Sequence, residues 1–212
     1  MTPDELTGLL SRAEILDHLQ GELALASQQN QNLVVLYADC HHLLRINNEY
    51  GHVAGDRFIE RVAGALAELT AGLGAAGRIG GDEFLAVLPG QPLDEALALA
   101  ERIRAAVEAR PLAITHQGQA LELPVAVTIG VAFFPDEDRS ITSDELVRRA
   151  YDALLRAKQD GGNAVCLYAQ IEERDPLTGV LKRGGILAQF EKARELADPS
   201  RANLALINLD ID

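Results

Sequence analysis

The 212-residue chain has no apolar run approaching the ~20 residues that a membrane-spanning helix needs, so no span is expected. Nor does Met1-Thr2-Pro3-Asp4-Glu5 carry the basic and apolar regions of a secretory leader, and no signal peptide is expected. Positive charge is scarce. Nineteen Lys and Arg stand against 32 Asp and Glu, a net charge of −13 with no basic stripe. That argues against duplex nucleic acid as a partner and is mainly a statement about solubility. Cysteine is rarer still: Cys40 and Cys166 each lie in an apolar, strand-like run and do not form a metal-type pair. Both are expected to be buried, reduced thiols in a cytoplasmic protein. What remains is ordinary globular material, 48% hydrophobic and 24% charged, enough for one domain or one domain plus a fragment. In so acidic a chain a polyanionic nucleotide would need local cations, and a metal ion is the natural one.

The densest chemistry lies in Arg78-Ile79-Gly80-Gly81-Asp82-Glu83-Phe84. An apolar run follows it to Leu88 and breaks at Pro89-Gly90, which reads as a hairpin whose returning strand is 84–88. Gly80 and Gly81 are expected at positive φ in the tight turn, and they clear side chains from the spot where phosphates would approach. Asp82 and Glu83 repel one another on that turn, and a bound cation would reverse the sign of this interaction.

Around this stretch the chain alternates strands and helices. Ser11 is placed to cap a helix reaching about residue 26, with Ile15, Leu16, Leu19 and Leu23 at helical spacing. Residues 33–39 form a nearly continuous apolar strand ending in Asp39. Helical pattern returns through about Leu69, recurs over 91–110, and recurs again after a Ser143 cap to about residue 159. Strands are expected at 112–123, as a pair turning at Gln117-Gly118, and at 125–134 and 164–168. The order predicts an α+β domain, a central, mainly antiparallel five-stranded sheet flanked by helices. Asn47 and Asp56 are short polar residues beside glycines, suited to turns and caps. Their oxygens are equally suited to accept from the N1–H and exocyclic amine of guanine.

These segments together resemble the GGDEF family of diguanylate cyclases. The opening 4–12 is similar to the family's D-x-L-T-x-L-x-N-R, with Ser11 for Asn. Asp39, Ile46, Asn47, Gly51, His52, Gly55 and Asp56 match the D-x-D-x-F-K-x-I-N-D-x-x-G-H-x-x-G-D stretch. Thr128-Ile129-Gly130-Val131-Ala132 is similar to S-x-G-x-A, and Lys158 and Asn163 match A-K-x-x-G-R-N. The resemblance covers residues 4–168 and implies a fold like the nucleotidyl cyclases and polymerase palm domains. It implies that Asp39, Asp82 and the carbonyl of Cys40 hold Mg²⁺ or Mn²⁺. Asp82 and Glu83 are then the catalytic carboxylates, one of them a candidate base. Asn47, His52, Asp56, Gly80, Gly81 and Lys158 would bind GTP, and a second GGDEF domain would complete the reaction to cyclic di-GMP.

The chain also departs from the pattern. His41, Leu43, Leu44 and Asn48 stand where the family has Asp, Phe, Lys and Asp, and Gly162 stands for Arg. Two cations lost from a triphosphate site cost roughly 1.5–3 kcal/mol per charge-assisted bond. A degenerate module, binding GTP or serving regulation or dimerisation, is therefore the alternative to a cyclase. The R-x-x-D of a product-inhibition site is also missing, since Ala71 and Gly74 occupy its positions.

A repeat closes the chain. Asp175-Pro176-Leu177-Thr178-Gly179 copies the opening at a constant offset that also sets Arg183 on Arg12, Leu204 on Leu33 and Asp210 on Asp39. The reading is a GGDEF domain over 1–170, then a linker and the start of a second copy over 171–212, ending Asp210-Ile211-Asp212. One helix and one strand bury too little apolar area alone. The tail's apolar strand is expected to add to another chain, or its helix to pack on the first domain. In sedimentation the full chain should dimerise where a version stopped at Gln170 does not. Two monomers at equal concentration would exclude strand exchange between chains.

Overall fold

The computed structural model describes residues 3–135 and 141–168. The chain divides into two units at the boundary between Tyr168 and Ala169, and the repeat expected over 171–212 falls outside the described residues. The elements of the first unit run α1 (Arg12–Gln29), β1 (Leu33–Cys40), α2 (Leu43–Tyr50), α3 (His52–Thr70), β2 (Ala75–Arg78) and β3 (Glu83–Pro89). Then come α4 (Leu93–Glu108), β4 (Leu112–His116), β5 (Gln119–Leu123), β6 (Val127–Phe134), α5 (Ser143–Gln159) and β7 (Val165–Leu167). Five strands form one sheet in the order β2-β3-β1-β6-β7, antiparallel except for the β6–β7 pair. β4 and β5 pair separately, as their turn at Gln117-Gly118 predicts.

β1 is central, and all eight of its residues are buried. Its side chains alternate between two cores because a strand has period two. Val34, Leu36 and Ala38 pack with Phe58, Val62 and Leu66 of α3 and with Ile103 and Val107 of α4. Leu33, Val35 and Tyr37 pack with Ile15 and Leu19 of α1 and with Leu146, Ala150 and Leu154 of α5. The domain is therefore three layers, and β1 reads as a continuous apolar run because helices cover both of its faces.

Helix ends show local chemistry at work. Ser11 opens α1 in a capping box with Glu14, whose Oε2 accepts from the Ser11 N–H at 3.1 Å. The helix outruns the expected residue 26 to Gln29 and stops where Asn30 turns left-handed. α5 begins one residue earlier than Ser143 as cap would place it. Thr142 is the cap, its Oγ1 accepting from the Glu145 N–H at 3.2 Å, and Ser143 is the first helical residue. Cys40 is buried and Cys166 only half-buried, because β7 is the sheet's short edge strand.

α5 rides directly on β6 at Gly130. A Cβ there would lie 2.9 Å from the Leu154 Cα and closer still to the α5 backbone, which cannot yield as a flexible side chain would. Gly130→Ala should cost about 1–3 kcal/mol. It should lower the midpoint of a circular-dichroism melt by about 2–4 °C per kcal/mol. An unchanged midpoint would contradict the close approach.

Candidate functional site at the hairpin end of the sheet

The C-terminal end of β1 meets the β2–β3 hairpin. Asp39 sits in register with Glu83 of β3 on one side and with Thr128 of β6 on the other. The Cys40 N–H donates to the Asp82 carbonyl at 3.1 Å. In extended backbone the N–H and C=O of one residue point the same way, so the Cys40 carbonyl also faces the hairpin tip. Asp39, Cys40, Asp82 and Glu83 are thus brought together, as the motif order implied.

The turn is held from behind. The Ile79 and Gly80 N–H groups donate to the Glu83 carbonyl at 2.9 and 3.3 Å. Arg12 Nη1 donates to the Ile79 carbonyl at 2.9 Å. Arg78 donates from Nε to the Gly80 carbonyl at 3.1 Å and from Nη2 to the Gly81 carbonyl at 2.7 Å. Asp4 holds the same guanidinium at 3.3 Å. Burial alone would raise the Asp4 pKa, but bonds from Thr7 and the charge of Arg78 more than offset it and hold the carboxyl below its ordinary value. With the carbonyls drawn inward, the N–H groups of Gly81 and Asp82 have no hydrogen-bond partner among the described residues. Two adjacent free donors beside a glycine form a ready anion seat.

The sequence placed Gly80 and Gly81 at positive φ, and the structure does not: neither belongs to the left-handed residues of the chain. At Gly80 the requirement is room. A Cβ would lie 3.2 Å from the Glu83 Cβ and closer still to its carboxylate, which folds back over the turn.

Asp39 is only 6% exposed. Burial pushes its carboxyl above the ordinary aspartate value, and the nearby Asp82 and Glu83 push the same way against the opposing pull of Lys158. Lys158, in the last turn of α5, donates to Asp39 Oδ1 at 2.7 Å. So the lysine that resemblance directed toward phosphates pairs here with the buried carboxylate. The Tyr37 hydroxyl is also pushed well up, first by burial and then by Glu83.

The base-recognition candidates gather at the α2–α3 junction. Asn47 lies in the last turn of α2 with its amide against the Gly55 backbone, and its buried Oδ1 has no hydrogen-bond partner among the described residues. His52 and Asp56 are exposed in the first turns of α3. An orphaned buried oxygen is costly, and a donor edge of a purine would satisfy it.

Among the described residues, no three His, Cys, Asp or Glu side chains converge as a closed metal cage. The donors that do meet are hard oxygens, the Asp39 and Asp82 carboxyls and the Cys40 carbonyl. That set fits a hard divalent cation such as Mg²⁺ or Mn²⁺, which these three oxygens would hold. Sequence reasoning missed the clamp of Asp4, Arg12 and Arg78. Its only linear trace is that Asp4 and Arg12 sit inside the opening motif and Arg78 inside the hairpin motif.

A mainly antiparallel sheet of this order, with carboxylates at the end of the central strand and on the adjacent hairpin, defines a nucleotidyl-cyclase-like domain. The chain belongs to the GGDEF family: the model of "Diguanylate cyclase, GGDEF domain" matches residues 1–164. It is 33% identical over 158 residues to diguanylate cyclase DgcP of Pseudomonas aeruginosa, covering 74% of this chain and 22% of that protein. To diguanylate cyclase A of Treponema denticola it is 34% identical over 153 residues, covering 72% and 39%. The GGDEF domain of DgcB from Caulobacter crescentus, solved in complex with c-di-GMP, superposes with a TM-score of 0.74 at 27% identity, covering 79% of this chain and 96% of that one. The active GGEEF domain of a Vibrio cholerae diguanylate cyclase superposes with a TM-score of 0.66 at 26% identity, covering 74% and 96%. The chain spans less than half the length of the curated relatives it matches. No helix among the described residues is long and apolar enough to cross a membrane.

A carboxyl with a raised folded pKa binds its proton more tightly folded than unfolded. The contribution of Asp39 to stability is therefore fullest below the ordinary aspartate range and is lost as pH rises through its folded pKa. Asp39→Asn removes the penalty. In metal-free thermal melts the variant should exceed wild type, by a gap that widens from acid to neutral pH and then levels. A gap that is constant or reversed would contradict this sign.

Proposed function

We propose that this domain condenses two GTP molecules into cyclic di-GMP with Mg²⁺ or Mn²⁺, as a bacterial second-messenger enzyme. The observation that carries the reading is the buried Asp39 facing Asp82 and Glu83, with Lys158 as its counter-charge. When bound at these oxygens, the divalent ion polarises the α-phosphate and lowers the pKa of the ribose 3′-hydroxyl. The N–H groups of Gly81 and Asp82 seat phosphate oxygens, and Lys158 supplies a cation beside them. Asn47 Oδ1 and the Asp56 carboxylate accept from the guanine edge, donors that adenine lacks, and His52 stands beside them. Glu83 or Asp82 takes the proton of the 3′-hydroxyl. That oxygen bonds to the α-phosphorus of the GTP held by a facing domain as pyrophosphate leaves, and the reciprocal step closes the ring. The facing domain is a second copy of this domain or a tandem copy, whose start we assign to 175–212 from the gapless repeat.

One observation favours a second reading, a nucleotide-binding regulatory module without turnover. Leu44, in the first turn of α2 where the family pattern has a Lys, is 73% exposed and offers phosphates nothing. The deciding experiment incubates the purified chain with GTP and Mg²⁺ or Mn²⁺ and resolves the products by chromatography. Cyclic di-GMP that falls at least a hundredfold in Asp82→Ala supports the cyclase. GTP binding that outlasts an equal excess of ATP, without product, supports the module. No metal-dependent GTP binding in wild type would overturn both.

A further inference from the structure

The residue following the Asp39-Cys40 strand end is unexplained by the chemistry above. The His41 N–H donates to the Ala126 carbonyl at 2.8 Å, fixing its backbone at the mouth of β6. Its ring reaches across to the turn between α5 and β7 and lies over Gly162. A Cβ at 162 would sit 2.6 Å from the His41 Nδ1 and closer still to Cε1. Gly162 also has φ +72, a conformation that side chains other than glycine's strain to adopt. Position 162 is therefore strained for a side chain by its backbone and crowded by the imidazole where the ring now lies. The two departures from the family pattern at 41 and 162 meet in space, as a linked exchange of side chains would require.

The ring is packed on Gly162 and tilted against His42 at 3.7 Å between centroids, yet it also lines a cavity of about 290 Å³ with His42, Arg45, Val125, Glu108 and Asn163. The charges around it are unequal. Arg45 and Lys158, the latter itself paired with Asp39, are the cationic neighbours. The carboxylate across the cavity, Glu108, is already held by Arg104 at 2.7 Å and by the Asn163 amide at 2.7 Å. In a chain of net charge −13 this is a local concentration of donors beside the Asp39 end of the sheet. A triphosphate seated on the Gly81 and Asp82 N–H groups and reaching Lys158 would extend past this ring.

We propose that His41 is a substrate-contacting residue: its imidazole N–H binds the distal phosphates of the nucleotide, in the space that a side chain at 162 would otherwise use. The inference rests on the GTP reading above and adds the group that reads the triphosphate tail. It is tested by Mg²⁺-supported equilibrium binding of GTP and GMP, and by thermal unfolding. His41→Ala should weaken GTP about tenfold and leave GMP unchanged, as expected for one hydrogen bond to a charged group. His41→Gln, which keeps an N–H donor, should retain most of the affinity. Gly162→Arg alone should lower the unfolding midpoint. The same change in a His41→Gly background should lower it less and recover GTP binding. Unchanged GTP affinity in His41→Ala, with wild type binding GTP normally, overturns the contact while leaving the cyclase reading intact. A strictly additive cycle between 41 and 162 overturns the exchange. If wild type binds no GTP, the cyclase reading itself fails and takes the phosphate contact with it.

Discussion

A carboxylate buried at the end of an apolar strand is the constraint on which this domain turns. β1 must be wholly apolar to sit between two helical layers, yet it ends in Asp39 rather than in a neutral residue. Burial disfavours the ionised form, and two further carboxyls face it from the hairpin. Lys158 offsets part of this cost from the C-terminal turn of α5, where a cation also complements the helix dipole. The fold disfavours the ionised form of this group, and a hard cation bound beside it would relieve that cost. Strain of this kind marks a site built for a ligand rather than for stability.

The hairpin is the second half of the same design. A turn carrying Asp82 and Glu83 beside Asp39 would splay apart by like-charge repulsion if its backbone were free. Arg78 and Arg12 bind its carbonyls from behind, and Asp4 fixes Arg78 in turn. This clamp places positive charge close behind three carboxylates and leaves the outward N–H groups for an anion. It also ties the first residues of the domain to the tip of the site, through Leu10, which bridges to Gly77 of β2. Asn163 does similar work on the far side. Its N–H donates to the buried Thr128 Oγ1 at 3.0 Å while its amide joins Arg104 and Glu108 of α4. The turn that follows Lys158 is thereby pinned to both the sheet and a helix.

Much of this architecture was legible in the chain. The apolar run at 33–39, the paired strands about Gln117-Gly118 and the helices over Ile15-Leu19-Leu23 and Ile103-Val107 follow from periodicity, which acts over neighbours in sequence. The placements that failed depend on contacts across the fold or on single-residue geometry. Thr142 takes the cap from Ser143 because it is Thr142 whose backbone is extended, at φ −89 and ψ 162, with its side chain reaching the Glu145 N–H. Gly80 is glycine for space that Glu83 claims. Cys166 is half-buried because β7 lies at the sheet edge.

The sequence by itself determined the family and the alternation of elements and pointed to the candidate oxygen donors, since each is carried by short motifs and local patterning. Only the tertiary structure decided how those donors are charged and held. The pairing of Lys158 with Asp39 spans over a hundred residues of sequence, and the Asp4–Arg78 clamp and the His41 ring over Gly162 are likewise meetings of distant segments. Motifs record which groups are present. Burial, register and the occupancy of space are properties of the packed chain, and they raise the pKa of Asp39 and crowd position 162.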